Sequence, residues 1–249
     1  MSDEVSLSVT RVLPPWTNVR TRRVLPELMD RQDLDPHLRN QALAGLRRIN
    51  LVSLTSRHLW KSLSAFARSA RRPLRVLDLA SGGGDVVLDL ARYAESENLP
   101  ITVRGCDLNP QTVAHANDRA RRMNVNASFF VHDALAGALP PGYDVITNSL
   151  FMHHFEYENA VCILQTIRAA GAKLVLISDL ERSTPGFLLA HVACQFLTRS
   201  YVVHYDGPRS VAAAFTSDEF AAVANAAGLA GHRMRRTWPY RFLFSWEAQ

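Results

Sequence analysis

Lysine and cysteine are scarce in this chain, and the scarcity of each excludes some classes of function. The 249 residues include two lysines, Lys61 and Lys173, so the Tyr-x-x-x-Lys pair of one group of NAD(P)-dependent oxidoreductases is missing. The three cysteines, Cys106, Cys162 and Cys194, are scattered and odd in number. They argue against a disulfide framework and for a reducing compartment. No two of them have the spacing of metal ligands.

The chain also lacks an apolar run of the roughly 18 residues that a membrane-spanning helix needs. Its N-terminus, MSDEVSLSVT, carries acids where a signal peptide needs positive charge, and it has no apolar core. We therefore expect a soluble, cytoplasmic protein, and contact with a membrane surface stays open.

Acidic residues are few in the first third of the chain. Residues 1–75 carry 14 Lys or Arg and 6 Asp or Glu, a net charge of +8, and the remainder carries 14 against 17, a net charge of −3. Such a basic arm could face nucleic acid, anionic lipid or an acidic ligand. The arginines are dispersed and not interleaved with aromatic residues, which favours a solvated face, so we expect no nucleic-acid partner.

The composition suits one α/β domain with an extension. From Arg22 onward the segment PELMD and then leucines at roughly helical spacing predict a helical arm, which Arg71-Arg72-Pro73 ends. We therefore place an N-terminal helical arm or lid at residues 1–73 and a core at residues 74–249.

The core alternates between apolar strands and amphipathic helices. This alternation predicts a Rossmann-like, doubly wound, mostly parallel sheet, with the N-terminal helical extension before it and a helical insertion after strand five. Predicted strands are Leu74–Leu79, Ile101–Cys106, Ala127–His132, Tyr143–Asn148, Lys173–Ser178, Gly231–Thr237 and Tyr240–Trp246. Predicted helices are Asp85–Ser96, Pro110–Met123, Tyr157–Ala169 and Ser217–Ala227.

Polar side chains stand at the carboxyl ends of the first five predicted strands. They are Asp78, Asp107, Asp133, Asn148 and Asp179. Doubly wound sheets bind ligands outside the carboxyl ends of their strands. Packing alone does not explain five polar residues at five matching ends, so we expect a ligand site there.

A glycine turn lies between the first predicted strand and helix, in VLDLASGGGDVVLDLA. The contiguous glycines depart from the dinucleotide-binding pattern G-x-G-x-x-G. The segment resembles the first motif, D/E-x-G-x-G-x-G, of the class I S-adenosylmethionine-dependent methyltransferases. Asp78, Ala80, Gly82 and Gly84 take its four places, and Ala80 departs from the family's glycine. The later strand ends also resemble this family, and RINLVSLTSRHLW is weakly similar to ubiquinone and menaquinone methyltransferases.

The resemblance implies S-adenosylmethionine as the cofactor. Asp107 matches the carboxylate that binds the two ribose hydroxyls. Asp133, Ala134 and Leu108 would surround the adenine. Asp78, through water, or the carbonyl of Ala80 would accept from the ammonium group, and Asn148 would lie beside the methyl donor.

Two histidines follow strand four, where donor and acceptor should meet. Met152-His153-His154-Phe155 resembles the C-H-D-W segment of plant phenolic O-methyltransferases, which places His153 on their general base. Histidine titrates near neutral pH and suits proton removal from a hydroxyl. His154 is a second candidate, and a structural role for the pair stays open.

The insertion, about 183–210, should choose the acceptor. We expect Phe196, Tyr201, His204, Tyr205 and Arg209 to bind an aromatic or lipophilic small molecule. A merely structural role for this segment stays open. Asp179 and Asn148 are too few for a catechol-type magnesium site, so we expect no metal requirement.

The residues therefore predict methyl transfer to a hydroxyl of a phenolic or quinone-like lipophilic molecule. Carbon and nitrogen acceptors stay open, and so does a homodimer. Two alternatives of other classes remain: an NAD(P)-dependent oxidoreductase using the glycine turn, and an RNA-binding or RNA-modifying methyltransferase using the basic arm.

Overall fold

The computed structural model describes residues 19–31 and 33–248. The strands within these ranges are β1 Leu74–Leu79, β2 Ile101–Asp107, β3 Ala127–Val131, β4 Val145–Ser149, β5 Leu174–Leu180, β6 Arg233–Thr237 and β7 Arg241–Glu247. The helices are α1 Pro36–Val52, α2 Thr55–Ala70, α3 Asp85–Ser96, α4 Pro110–Arg122, α5 Tyr157–Ala169, α6 Thr184–Leu197, α7 Tyr201–Ala213 and α8 Ser217–Ala226. A 3₁₀ turn, Met152–His154, follows β4.

The strands form one sheet in the order β3-β2-β1-β4-β5-β7-β6. Strands β1 to β5 are parallel, and β7 runs antiparallel between β5 and β6. The strand order reverses between β1 and β4, which is where doubly wound sheets bind ligands. The predicted Rossmann-like, mostly parallel fold is confirmed.

Both faces of the sheet are covered. Along β1, Val76 packs into a cluster with α2, α3 and α4, whereas Leu77 packs into a cluster with α5 and α8. Successive strand residues point to opposite faces, so an apolar run such as VL fills both halves of the core. Leu59 and Leu63 of α2 are completely buried in the first cluster, so α2 is part of the core.

Capping residues in the sequence mark where helices begin. Asn109 accepts hydrogen bonds from the backbone N–H groups of Gln111 and Thr112, and Pro110 follows it at the first helical position of α4. Thr216 and Glu219 form a reciprocal capping box at α8. The predicted Asp85–Ser96 and Tyr157–Ala169 helices have the observed bounds.

The N-terminal arm differs from its prediction. Helical structure begins at Pro36, and residues 22–31 form an irregular segment that tertiary hydrogen bonds hold in place. The predicted continuous helical stretch is broken after Val52, because Leu54 takes a left-handed backbone conformation with φ of +55°. Predicted features of residues 1–18, including Pro14-Pro15, lie outside the described residues.

The insertion after β5 is an antiparallel pair of helices, α6 and α7, which also pack against α1. The predicted insertion of about 183–210 therefore extends to Ala213. Among the described residues, no helix has the length and apolar character to cross a membrane.

Candidate active site

The glycine turn after β1 brings backbone close to the ends of β1 and β2. Gly84 has φ of +78°, and a Cβ there would lie 2.5 Å from Cζ of Phe129. Glycine is therefore required by both backbone conformation and space. Ala80, in the place of the family's first glycine, has φ of +50°, a region that costs an L-residue about 1–2 kcal/mol.

Asp107 is fixed beside this turn. Its carboxylate accepts hydrogen bonds from the backbone N–H of Gly82 at 2.9 Å and of Asn109 at 3.0 Å. Burial raises the pKa of Asp107, although the two N–H groups and Arg39 oppose this rise. The carboxylate is thus tied to both the glycine turn and the start of α4, as a ribose-binding acid should be.

Asp78 lies near the end of β1, as predicted. Its side chain is buried, and Thr147 Oγ1 on β4 donates to Asp78 Oδ1 at 2.6 Å. Burial raises the pKa of Asp78 to about 7, with the Thr147 hydrogen bond opposing and the charge of Asp107 adding to the rise. The carboxylate therefore bonds across the sheet, and its role toward a cofactor stays a prediction.

Asn148 is the polar residue at the switch point that most clearly indicates a bound ligand. It is completely buried, and within the described residues neither its amide nitrogen nor its amide oxygen has a hydrogen-bond partner. Unpaired buried amide atoms are costly, so native structures usually satisfy them with protein, water or a ligand. The orphaned amide beside the glycine turn fits a polar ligand at this strand end.

The predicted adenine-binding residues lie at the ends of β2 and β3. Leu108 is exposed, and Asp133 Oδ1 accepts from the backbone N–H of Leu135 at 2.8 Å. Ala134, between them in sequence, is half-buried. Leu108 and Asp133 follow neighbouring parallel strands, and their contact with adenine stays a prediction.

His153 is held by Asp179. Its Nδ1 lies 2.7 Å from Asp179 Oδ1, its backbone N–H donates to Oδ2, and both side chains are buried. Burial by itself would raise the pKa of Asp179, but the charge and hydrogen bond of His153 hold it below its ordinary value. A proton on Nδ1 directed at a carboxylate leaves Nε2 as the free acceptor.

His154 has a different electrostatic environment. It stacks on His153 with 4.3 Å between ring centroids, and its Nδ1 lies 3.1 Å from Asp30 Oδ2. Burial would lower the pKa of His154, but the hydrogen bond to Asp30 and the charges of Glu27, Asp30 and Asp179 raise it to about 9. At neutral pH His154 is therefore a cation, which cannot accept a further proton.

A pocket of about 220 Å³ opens onto both histidines. Its lining consists of Val24, Leu25, Pro26, Glu27, Asp30, His153, His154 and Ala213. Glu27 Oε1 lies 3.7 Å from His153 Nε2. The pocket thus combines apolar walls with two carboxylates, Glu27 and Asp30, and two imidazoles, a composition suited to a small molecule with an apolar body and polar groups.

Residues 22–31, which we call the strap, form the wall of this pocket. The guanidinium of Arg22 donates to the carbonyls of His153 and Phe155 and lies over the ring of Phe215. The backbone N–H of Arg23 donates to Ala212 at 3.0 Å. The N-terminal end of the strap is therefore attached to the histidine turn itself.

The C-terminal half of the strap is attached to α7. Asp206 accepts from the backbone N–H groups of Leu28 and Met29 at 2.8 and 3.0 Å, and Ser210 Oγ donates to Glu27 at 2.6 Å. Burial, followed by the charge of Glu27, raises the pKa of Asp206 to about 7. These contacts fix the position of Glu27 over His153.

The residues predicted to bind the acceptor do not line this pocket. Phe196 is 86% exposed and Tyr201 59% exposed. His204 Nε2 contacts the carbonyl of Thr198, and the buried guanidinium of Arg209 lies over the ring of Tyr205. None of these residues is therefore in the lining of the histidine pocket, and their contact with an acceptor stays a prediction.

Sequence reasoning missed the strap. Glu27 and Asp30 lie in PELMD, which we expected to be helical, and nothing in that pattern indicates contact with residues more than 120 positions away. Asp179 could be found from the sequence, since it is one of the five polar residues at the predicted strand ends. A larger hollow of about 460 Å³, beside Arg168 and Gly228, lies away from these strand ends and has no carboxylate or histidine in its lining.

Comparison with known proteins agrees with this geometry. A family model described as a methyltransferase domain matches residues 76–172. The demethylmenaquinone methyltransferase of Thermus thermophilus is 31% identical over 129 residues, 51% of this chain and 57% of that protein. The enzyme of the same name from Deinococcus radiodurans is 26% identical over 158 residues, 61% of this chain and 64% of its own. The chain thus aligns with less than two thirds of either relative's length.

A solved structure shows the same fold. Magnesium protoporphyrin IX methyltransferase of Synechocystis PCC 6803, with bound SAH, aligns with a TM-score of 0.57 and 17% identity over 79% of this chain and 83% of its own. Residues 76–172 are accordingly a methyltransferase domain. The matched residues carry the glycine turn and four of the five polar strand ends from which the resemblance to class I S-adenosylmethionine-dependent methyltransferases was predicted.

Proposed function

We propose that the protein transfers the methyl group of S-adenosylmethionine to a hydroxyl of a phenolic or quinone-like, lipophilic small molecule. The observation that carries this proposal is the buried Asp179–His153 pair beside the strand ends, whose histidine lines a pocket that is half apolar and half polar or charged. The names of the two curated relatives support a quinone-like acceptor as the first class to test.

The residues at the switch point fit the cofactor. Asp107 would bind the ribose hydroxyls, and the glycine turn lets backbone approach the ligand. The unpartnered amide of Asn148 would gain its hydrogen bonds from the bound molecule. When bound, S-adenosylmethionine supplies an electrophilic methyl group on a sulfonium ion. Alignment of that methyl group with the acceptor oxygen contributes most of the rate.

His153 would remove the acceptor's proton. With a proton on Nδ1 directed at Asp179, the imidazole would present Nε2 to the pocket as the acceptor. General bases of this kind typically accelerate a reaction about 10²–10⁴-fold. His154, as a cation at neutral pH, would stabilise the developing negative charge on the oxygen.

A ring carbon of a quinol is the second candidate target. A quinol ionised by His153 has negative charge on its ring carbons as well as on its oxygen, so the same site could direct the methyl group to either. The two curated relatives, with their quinone-derived names, favour testing this outcome.

The experiment is methyl transfer from [methyl-¹³C]-S-adenosylmethionine to a panel of neutral phenols and reduced quinones, with products read by ¹³C NMR. We expect an O-methyl product, and the His153→Ala variant should lose about 10²–10⁴-fold in kcat with cofactor affinity unchanged. His37→Ala, an exposed histidine on α1, is the matched control. A C-methyl product would favour the second candidate, and a His153→Ala variant with wild-type turnover would remove His153 as the base.

A further inference from the structure

Helix α6 exposes an apolar stripe. Leu188, Val192 and Phe196 are four residues apart and are 45%, 50% and 86% exposed. Residues with this spacing lie on one face of a helix. Between Ser183 and Tyr205 the chain has one charged side chain other than histidine, Arg199. An uncharged helix with an exposed apolar face usually binds a membrane, a ligand or another protein, because water solvates such a face poorly.

The C-terminal end of α1 continues this surface. Arg48 Nη1 reaches the carbonyl of Leu197, the last residue of α6, at 3.5 Å. One turn beyond Arg48, Leu51 is 71% exposed and Val52 is 48% exposed. Exposed apolar side chains from two helices therefore lie at the same corner of the molecule.

The corner is basic and has no carboxylate from these elements. From Pro36 to Leu77 the sequence has nine Lys or Arg and no Asp or Glu. Arg47, Arg48, Arg57 and Lys61 of this stretch are exposed, and so is Arg199 after α6. Apolar side chains flanked by arginines match the two parts of an anionic lipid surface, the acyl boundary and the charged headgroups.

We propose that this corner, the exposed face of α6 with the end of α1, docks on an anionic phospholipid surface. A second copy of the chain fits less well, because a two-fold interface would bring the same arginines together without an acidic partner from these segments. A polynucleotide would match the arginines but not Leu51, Val192 or Phe196. As a consequence that rests on the proposed function, docking would bring the enzyme to a lipophilic acceptor dissolved in a bilayer.

The test is co-sedimentation of the full chain with vesicles of phosphatidylglycerol and phosphatidylcholine, compared with phosphatidylcholine alone. Wild type should bind the anionic vesicles, and raised salt should weaken binding. Leu51→Ser/Val192→Ser should weaken binding about tenfold, from lost apolar burial. Arg48→Gln/Arg199→Gln should weaken it about 25-fold, since each basic residue contributes about fivefold at such a surface.

Matched controls are Trp238→Ser, an exposed aromatic residue on the β6–β7 turn, and Arg121→Gln/Arg122→Gln on α4. Both should bind like wild type. Light scattering would show whether the corner is a dimer interface: a wild-type dimer that Leu51→Ser/Val192→Ser makes monomeric would overturn the proposal. Equal binding of wild type to anionic and neutral vesicles would also overturn it, as would binding of RNA in preference to vesicles.

Activity on a water-soluble phenol separates this proposal from the proposed function. Leu51→Ser/Val192→Ser should keep wild-type turnover on that acceptor while losing vesicle binding. A wild type that binds vesicles but methylates none of the tested acceptors would refute the proposed function and leave the docking surface intact. A wild type that methylates the phenol but binds no vesicles would refute the docking surface alone.

Discussion

The substitution Asp179→Asn tests the proposed chemistry most directly. The Asp179 carboxylate accepts from His153 Nδ1 at 2.7 Å, from the His153 backbone N–H at 3.2 Å and from its neighbour Leu180 at 2.7 Å. An asparagine has one oxygen and one NH₂ group, so it cannot accept at both former oxygen positions. If its NH₂ group faces Nδ1, the imidazole must carry its proton on Nε2. The imidazole then has no free nitrogen toward the pocket and cannot act as a base.

The alternative rotamer of the amide is also unfavourable. Its NH₂ group would then face the His153 backbone N–H, and two donors would meet in a buried place, at a cost of about 1–3 kcal/mol. We therefore expect kcat for a neutral phenol to fall about 10²–10⁴-fold, which corresponds to about 3–5 kcal/mol in the barrier. The fold should survive, because the substitution changes neither volume nor shape.

Steady-state kinetics with two acceptors provides the assay. An acceptor already ionised at the assay pH needs no base, so Asp179→Asn should slow it much less than a neutral phenol. Calorimetry should show cofactor affinity like that of wild type, and Asp118→Asn, which changes a half-exposed carboxylate on α4, is the matched control. Equal losses for ionised and neutral acceptors would refute proton removal by His153 and leave an aligning role for the pair.

Three further outcomes follow from the site. Asp107→Ala should weaken S-adenosylmethionine binding by about 2–4 kcal/mol in calorimetry, because two ribose hydroxyls lose their acceptor; unchanged affinity would remove Asp107 from the cofactor site. The pKa of Asp78 is about 7 in the folded protein, above its value in the unfolded chain, so the folded state binds this proton more tightly. The free energy of unfolding should therefore fall, by up to about 4 kcal/mol, as pH rises from about 4 to about 7. Asp78→Asn keeps an acceptor for Thr147, and it should reduce the difference between the free energies of urea unfolding at pH 5 and pH 8. An unaltered difference would contradict the raised pKa of Asp78. Chelation with EDTA should leave turnover unchanged, because the proton removal proposed for His153 uses no metal, whereas a loss restored by added Zn²⁺ would show a metal held by Glu27, His153 and His154, whose ligand atoms lie within 4.8 Å of one another.

The sheet could be predicted because its signals are local. Apolar runs such as Leu74–Leu79 and punctuation such as Asn109-Pro110 predict strands and helices without knowledge of distant residues. Their boundaries were less accurate: β5 extends to Leu180, so Asp179 lies inside the strand. The ends of parallel strands share one edge of the sheet, so the sequence also indicated where a ligand should bind.

The pocket at the two histidines could not be predicted, because its wall depends on tertiary contacts. Leu28 and Met29 are held by Asp206, which lies 178 and 177 positions away, so no local pattern marks them. The apolar character of α6 suggested an acceptor wall, yet Phe196 on that helix is largely exposed. Apolarity alone does not say whether a helix face meets a substrate, another helix or the surroundings. Cytoplasmic location and a homodimer stay predictions.

The pocket at the two histidines is built from two separate parts of the chain, and this has an evolutionary consequence. His153 lies in the 3₁₀ turn after β4 and is held by Asp179 of β5, whereas Val24, Leu25 and Pro26 belong to a short strap that contributes no strand or helix. Ten consecutive residues can therefore diverge, lengthen or be exchanged between related chains without disturbing the strands beneath them. Changes of acceptor should thus accumulate in the strap while the apparatus for the methyl donor stays constant, and a chimera carrying a relative's strap should inherit that relative's choice of substrate.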